Sequence, residues 1–396
     1  MTNTPVGEEA LSVSGSLPCT FGQWLLFAVI LAANISMLDN YRRAVPQDRT
    51  LMVQDFLGYY TAAKLPRHEM YDIDRQKEVQ TALLGKPYDL PSKVLLFNHP
   101  PVLIPLVNLI STDDYLKSYW RWAVVLSTIC LLCAGAVYLL LRDAGQPTST
   151  ASLAAFTALL FYPLYRSVQA GQDTPFVLVG ALIWALCLTR KRDGAAGLAL
   201  ALTIIKPQLA IPLAAATFAA SRRSFAWFAA AAAGLTALSV LYVGAGGALT
   251  LVEDIRLSAD GEAFGVFFTR QYNFAGLLAR LGAGKTVAGV AGWCAFAAAV
   301  VCLALRRRGA SDPPRLGLAV IVSIFFSPNL HFHDIALLLL PMAMLARGLK
   351  ARYAPLVFVP LSPVIILAVG WTLAAYCMQA AYAFALARCK AFNARS

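Results

Sequence analysis

Charged residues are scarce in this sequence. They make up 14% of its 396 residues, whereas hydrophobic residues make up 59%, and a soluble domain of this size would carry about 25% charged residues. The apolar residues form long blocks separated by short basic clusters, and several blocks reach the roughly 17 to 25 residues that a helix needs to cross a bilayer. The composition therefore excludes an ordinary soluble domain and predicts a multi-pass membrane protein.

Three further classes of feature are missing. The eight cysteines lie mostly inside apolar blocks, without the paired spacings of a disulfide framework or a zinc site. The first twenty residues have no basic segment and carry Glu8 and Glu9, so they do not resemble a cleaved signal peptide. The net charge of +12 has a topological explanation in basic cytoplasmic loops, so no nucleic-acid partner is predicted.

The apolar blocks predict an all-α polytopic bundle of about 10 to 12 spans. The candidate spans are residues 21–38, 120–141, 151–168, 174–189, 195–220, 225–243, 286–305, 316–326, 335–346, 354–369 and 371–387. The block 195–220 is interrupted by Lys206-Pro207. No internal repeat divides the chain, so we expect one membrane domain over residues 21–390.

Basic clusters mark the cytoplasmic ends of spans. All of them face the cytoplasm if residues 102–110 do not cross and residues 195–220 enter and return as two half-helices. Both termini are then cytoplasmic, with tails at residues 1–20 and 391–396. The extracytoplasmic face holds two large segments with short amphipathic helices, residues 39–119 and 244–285.

Polar clusters from distant parts of the chain meet on that outer face. They include all four histidines (His68, His99, His331 and His333) and a carboxylate, Asp55, just after the first span. Lys206 lies at the break inside the membrane, where it requires a cavity or an anion, because an unpaired ammonium is costly in hydrocarbon. Taken singly, each cluster has an ordinary structural interpretation as a turn, a cap or a solvated loop; together they predict a site.

The order of these clusters resembles glycosyltransferase family 87. The resemblance extends over residues 21–346 and is carried by Asp55-Phe56, Tyr59-Tyr60, Ala62-Ala63, Tyr71-Asp72, Phe97-Asn98-His99-Pro100-Pro101, Pro105-Leu106, Gly171-Gln172, Ala196-Gly197, Lys206-Pro207, Ser327-Pro328, His331 and His333. Asn98-His99 departs from the family pattern, in which an aromatic residue more often precedes the double proline. The resemblance implies a bacterial inner-membrane enzyme of the GT-C type that uses polyprenyl-phosphate-linked mannose.

The resemblance also implies roles for individual residues. Asp55 would be the general base of an inverting hexosyl transfer to an extracytoplasmic glycan or glycolipid, with His331 as a second catalytic residue. The candidates for binding the donor phosphate are Lys206, Arg166, Arg270 and His333. The candidates for binding sugar or acceptor are Tyr59, Tyr60, Asn98, His99, Gln172, Asp173, Gln271 and Asn273.

We expect no cofactor and no metal site. Asp55, Asp173 and Asp334 share the outer face, but the sequence has no Asp-x-Asp at the key turn. Two alternatives stay open: a transporter or flippase for a lipid-linked or small sugar, which would use the broken helix at Lys206-Pro207, and a polymerase or ligase of lipid-linked glycans.

Overall fold

The computed structural model is helical throughout the residues that it describes, namely 55–88, 93–259, 268–306, 312–350 and 371–393, with the single positions 28, 32, 354 and 357. These ranges contain fifteen α-helices and no strand. The helices are α1 Phe56–Lys64, α2 Ile73–Leu84, α3 Ile104–Ile110, α4 Tyr115–Arg142, α5 Thr148–Leu159, α6 Tyr162–Ala170, α7 Thr174–Thr189, α8 Asp193–Ala201, α9 Pro207–Ala220, α10 Arg222–Ala259, α11 Phe274–Arg280, α12 Lys285–Leu305, α13 Pro313–Phe326, α14 Leu339–Arg347 and α15 Trp371–Asn393. The expected spans at 21–38 and 354–369 lie outside the described helices.

Among the described residues, three helices are long and apolar enough to cross a membrane: α4, α10, which kinks at Gly244, and α12. Their outward side chains, such as Val124, Leu241 and Leu305, are apolar and exposed, as expected of surfaces that contact lipid. Shorter apolar helices, including α7, α9 and α13, pack among them. The all-α membrane prediction is confirmed, while the number of about 10 to 12 spans stays a prediction.

The expected span at 151–168 is wrong as a single helix. The chain leaves helical geometry at Phe161 (φ −65°, ψ 113°) and restarts as α6, with Pro163 in its first turn. Proline is favoured in a first turn because no intrahelical partner is needed there, whereas in a helix interior it breaks the hydrogen-bond ladder. The result is two short helices, α5 and α6, instead of one crossing.

The break at Lys206-Pro207 is confirmed. Helix α8 tightens into a 3-10 turn at Leu202–Ile205, Lys206 takes φ −122° and ψ 84°, and α9 begins at Pro207. A residue that precedes proline is pushed out of the helical region by the proline ring. The sequence thus turns the lysine side chain out of a continuous helix and into the interior.

Short helices in the first outer segment fix the turn that carries His99. Asp72 caps the start of α2, and its carboxylate accepts from two amides of the first turn. On its buried face, Gln76 accepts from the Phe97 amide and Gln80 bonds both backbone groups of Leu95, each at 2.8 Å. These bonds satisfy an otherwise unpaired stretch of backbone and hold residues 95–97 against the helix.

A close approach between α1 and the turn before α7 brings the outer segment onto the bundle. Gly171 has φ +72°, and a Cβ built there would lie 2.5 Å from the Cβ of Phe56. Its carbonyl accepts from the Trp122 indole at 2.9 Å. Glycine is required because it alone tolerates both the positive φ and the contact. The start of α1 therefore packs against the turn before α7.

Candidate functional site

A buried ion network lies at the broken helix. The Lys206 Nζ contacts three groups: the Asp334 Oδ1, the Asp173 Oδ1 at 3.2 Å and the Thr174 Oγ1 at 3.0 Å. Thr174 in turn donates to the Asp334 Oδ1 at 2.8 Å. Lys206, Asp173 and Asp334 are 3%, 0% and 2% exposed. The ammonium donates hydrogen bonds to Asp334 and Thr174, whereas its contact with Asp173 is an ion pair without a hydrogen bond.

Three separate elements supply this network. Lys206 comes from the break before α9, and Asp173 from the residue before α7. Asp334 lies in a 3-10 helix, Phe332–Leu338, where its second carboxylate oxygen accepts the His331 amide at 3.1 Å. Burial would raise the pKa of Asp334, but Lys206 and the neighbouring histidines hold it far below its ordinary value. The carboxylate is therefore charged.

Tyr59 and His99 cover Asp173 from the outer segment. The Tyr59 hydroxyl donates to the Asp173 Oδ2 at 2.5 Å, and the His99 Nδ1 lies 3.5 Å from the same oxygen. The two rings stack with centroids 5.5 Å apart. Burial would raise the pKa of Asp173, but Lys206, His99 and the tyrosine hydroxyl keep it below its ordinary value. Burial lowers the pKa of His99, so this imidazole is neutral near pH 7.

His331 and His333 form a stacked pair with ring centroids 5.7 Å apart. The His333 Nε2 lies 3.6 Å from the Asp334 Oδ2. Burial lowers the pKa of His331 and takes that of His333 to about 4. A histidine is expected near 6.5 in water, so both rings are neutral at neutral pH and each has one acceptor nitrogen for a ligand proton.

Asp55 faces this cluster from the residue before α1. Its side chain caps no helix amide and is half-buried. Its negative charge acts to raise the pKa of Tyr59, of His99 and of both histidines of the pair. Within the described residues, its carboxylate forms neither a hydrogen bond nor an ion pair. It is the carboxylate of the cluster that is left open to a ligand.

The charges of this cluster do not cancel. Lys206 contributes one positive charge, Asp173 and Asp334 contribute two negative charges, and Asp55 adds a third. Lys206 already contacts two carboxylates, and its expected role at the donor phosphate stays a prediction. Asp173 contacts Lys206 through Oδ1 and Tyr59 through Oδ2, and its expected role in binding sugar stays a prediction.

Other expected site residues fall into two groups. Tyr60 donates to backbone carbonyls at 112 and 113. Asn273 caps α11 and donates to Gln271, whose own amide donates to Asn329. Tyr60, Asn273 and Gln271 therefore already form hydrogen bonds within the protein. In contrast, the buried Gln172 Oε1 has no hydrogen-bond partner among the described residues, so it is an acceptor that remains available.

The two arginines expected at the donor phosphate lie closer to the surface. Arg166 is half-buried on α6, which packs against the 3-10 helix of the histidine pair, and contacts Gln169. Arg270 is exposed at the end of the 3-10 turn Phe268–Arg270. Asn98 is half-buried beside His99. No group of three His, Cys, Asp or Glu side chains among the described residues is arranged to hold a metal ion.

A protein-family model described as glycosyltransferase family 87 matches residues 97–328. That range is more than half of the chain. The chain belongs to glycosyltransferase family 87. It is therefore a membrane glycosyltransferase, and the family resemblance noted in the sequence is confirmed. Neither the curated proteins nor the solved structures contain a match to it.

The family match is narrower than the resemblance at 21–346. It includes the expected residues His99, Gln172 and Lys206 but begins after Asp55 and ends before the histidine pair. The roles expected for Asp55, His331 and His333 lie outside the matched range, so they depend on the geometry of the cluster and not on the family match.

Two residues of this site were missed from the sequence. Thr174 carried no signal, because a threonine after an aspartate is typical of any helix start. Asp334 was considered only as a metal candidate. The signal that could have found it was Lys206 itself, since a buried lysine requires an anionic partner.

Proposed function

We propose that this family 87 glycosyltransferase moves a hexose, mannose in the first instance, from a polyprenyl-phosphate donor to a hydroxyl of an extracytoplasmic glycan or glycolipid. The observation that carries the proposal is Asp55: a charged side chain without a described partner, facing three neutral histidines and backed by a closed ion network. A structural carboxylate in such a position would be paired, as Asp173 and Asp334 are.

Asp55 acts as the general base in this proposal. The acceptor oxygen attacks the anomeric carbon while its proton passes to the Asp55 carboxylate, and the bond from the anomeric carbon to the phosphate oxygen breaks. The electron pair leaves with polyprenyl phosphate, which is already a stable anion, so no proton donor is needed for departure. A single displacement inverts the anomeric centre.

The leaving phosphate requires positive charge near it, and the cluster around Asp55 is itself negative. Arg166 is a better candidate than Lys206 for binding the leaving phosphate. It is half-buried on α6, which packs against residues 331–338, called here the histidine segment, and its described contact is with a neutral glutamine. Arg270 and the N–H groups of His331 and His333 are further donors at this face. The ion network instead holds α7, α9 and the histidine segment together.

The neutral side chains around Asp55 suit sugar hydroxyls. The buried, unpaired Gln172 Oε1 can accept a hydrogen bond from a sugar hydroxyl, and an imidazole can either donate or accept one. Asn98 and His99 occupy the turn that α2 holds in place. We place this face on the extracytoplasmic side of a bacterial inner membrane, with both termini cytoplasmic, because that orientation puts the basic clusters inside.

The test is transfer of labelled mannose from polyprenyl-phosphate mannose by the purified full-length protein in lipid nanodiscs. Asp55→Asn should lower kcat by at least ~100-fold, as expected for loss of a general base, with the thermal unfolding midpoint unchanged. Asp74→Asn is the matched control, since Asp74 is an exposed carboxylate in the same outer segment.

Three outcomes separate the alternatives. Loss of activity in the Asp55 variant alone supports the proposal. Equal activity of the two variants would remove Asp55 from the chemistry. If the wild-type protein consumes no donor but moves a lipid-linked sugar across a sealed bilayer, the protein is a transporter and the proposal is wrong.

A further inference from the structure

His99 is held in place on several sides. Its Nδ1 lies 3.5 Å from the Asp173 Oδ2, the ring stacks on Tyr59, and its backbone carbonyl accepts from the Tyr71 hydroxyl at 2.8 Å. The His99 side chain is 25% exposed, whereas that of Asp173 is 0% exposed. A ligand can therefore reach His99 but not the carboxylate behind it.

The carboxylate of Asp173 decides which nitrogen of the ring carries the proton. An ionised carboxylate only accepts hydrogen bonds, and Lys206 stabilises that ionised form through the other oxygen, Oδ1, at 3.2 Å. The contact from Oδ2 to Nδ1 is longer than a hydrogen bond, so its effect on the ring is electrostatic. A bare Nδ1 would direct its lone pair at a negative oxygen, and the proton of the neutral ring therefore belongs on Nδ1.

No other carboxylate competes for this ring within the described residues. Asp55 and Asp334 also act on His99, but more weakly than Asp173, and neither forms an ion pair or a hydrogen bond with it. Nε2 lies on the ring edge away from Asp173 and has no hydrogen-bond partner in the described part of the chain. With the proton on Nδ1, this nitrogen is an acceptor.

We propose that Asp173 is a positioning residue that acts through His99: it fixes the tautomer with the proton on Nδ1, so that Nε2 accepts a hydrogen bond from a sugar hydroxyl. A serine protease triad uses its aspartate in the same way to select a histidine tautomer. In this form His99 favours a hydroxyl and disfavours a phosphate oxygen, which has no proton to donate. This inference rests on the proposed function and gives a direction to one sugar contact of that reaction.

The first test reads the tautomer directly, by ¹⁵N NMR of histidine-labelled full-length protein in nanodiscs near neutral pH. The chain has four histidines, and the signals lost in His99→Gln identify those of His99. The wild-type ring should show a protonated Nδ1 and a bare Nε2. A bare Nδ1 in the wild type overturns the inference, and this result does not depend on how any Asp173 variant folds.

Asp173→Asn should reverse the tautomer. The Lys206 ammonium only donates, so it attracts the oxygen of the new amide and leaves the amide N–H groups facing His99. Those groups need an acceptor, so Nδ1 becomes bare and the proton moves to Nε2. Asp334→Asn is the matched control, since it removes the other carboxylate of Lys206 but not the one beside His99. An unchanged tautomer in Asp173→Asn, or the same reversal in Asp334→Asn, overturns the inference.

The second test finds which sugar supplies the hydroxyl. Binding of polyprenyl-phosphate mannose and its monodeoxy forms is measured without acceptor, and binding of methyl mannoside and its monodeoxy forms is measured without donor. In one of these series the wild type should bind the parent sugar at least about 10-fold more tightly than one deoxy form. His99→Phe and Asp173→Asn should both remove that preference, because neither leaves an acceptor at the position of Nε2.

The series that responds identifies the sugar, as the transferred one or as that of the acceptor. A preference that survives in His99→Phe for both series overturns the hydroxyl contact.

Failure of this inference differs from failure of the proposed function. A wild-type protein that transfers mannose but has a bare Nδ1 at His99 refutes the role of Asp173 alone. A protein with the assigned tautomer that never consumes polyprenyl-phosphate mannose refutes the donor and the reaction, and leaves the pairing of Asp173 with His99 intact.

Discussion

Replacing Lys206 with methionine should destabilise the protein strongly, because it leaves two buried carboxylates without their cation. Removing one partner of a buried ion pair costs about 3 to 5 kcal/mol, most of it from the charge left behind. Here the buried charge of the network changes from −1 to −2 at neutral pH. For a chain of this size, that cost corresponds to a fall in the unfolding midpoint on the order of 4 to 6 °C.

The measurement is thermal unfolding of the purified protein in detergent, followed by tryptophan fluorescence. Lys64→Met is the control, since Lys64 pairs with Asp113 at 2.8 Å on the surface and an exposed pair contributes only about 0 to 1 kcal/mol. The double variant Lys206→Met with Asp334→Asn restores the net charge of −1 and should recover part of the loss.

The same variant has a pH signature. In the wild type, Lys206 holds the pKa of Asp173 and of Asp334 low, so their contribution to stability is present near neutral pH and is lost as the pH falls through the folded pKa values. Without the lysine these carboxylates are more stable protonated. The difference in midpoint between variant and wild type should therefore shrink from about pH 7 to about pH 4.

Two results would refute this reasoning. One is a Lys206→Met protein as stable as the Lys64→Met control. The other is a double variant no more stable than the single variant, which would show that the loss comes from packing of the lysine stem and not from its charge.

The remaining predictions concern the histidine pair and the turn before α7. Because burial takes the pKa of His333 to about 4 and the unfolded chain titrates near 6.5, the unfolded state binds more protons between these values. Stability should fall as the pH drops from about 6.5 to about 4, and His333→Gln should flatten this slope in urea unfolding; an unchanged slope would contradict the burial. Gly171→Ala should destabilise by about 2 to 5 kcal/mol, the sum of positive-φ strain and overpacking against Phe56. Gly145→Ala has a similar φ of +78° but nothing within 4 Å, so it should show only the strain; equal losses at the two glycines would refute the contact.

The sequence predicted those parts of the fold that depend on local chemistry. Helix α7 has the bounds 174–189 expected from hydropathy, because an aspartate and a proline mark its start and a basic cluster marks its end. The break at Lys206 was predictable from the sequence because a proline disfavours helical geometry in the residue before it, and a charged residue interrupts the apolar block. The break at Phe161 was missed, since no charge marks it and Pro163 is its only local signal.

The partners of the site could not be predicted in the same way. The sequence required an anion or a cavity for Lys206, and the structure supplies two carboxylates, one of them Asp334, 128 residues later in the chain. Such a pairing depends on how α7, α9 and the histidine segment pack, and hydrophobic periodicity carries no information about it.

The distance along the chain between Lys206 and Asp334 has a consequence for biogenesis. Chains are synthesised from the N-terminus at about 5 to 20 residues per second, so the half-helices around Lys206 leave the ribosome before residue 334 exists. During that interval Asp173 is the carboxylate of the final network that is already made. We therefore expect the network to form in two stages, with Lys206 pairing first with Asp173 and then with Asp334 once the 3-10 helix Phe332–Leu338 has been made.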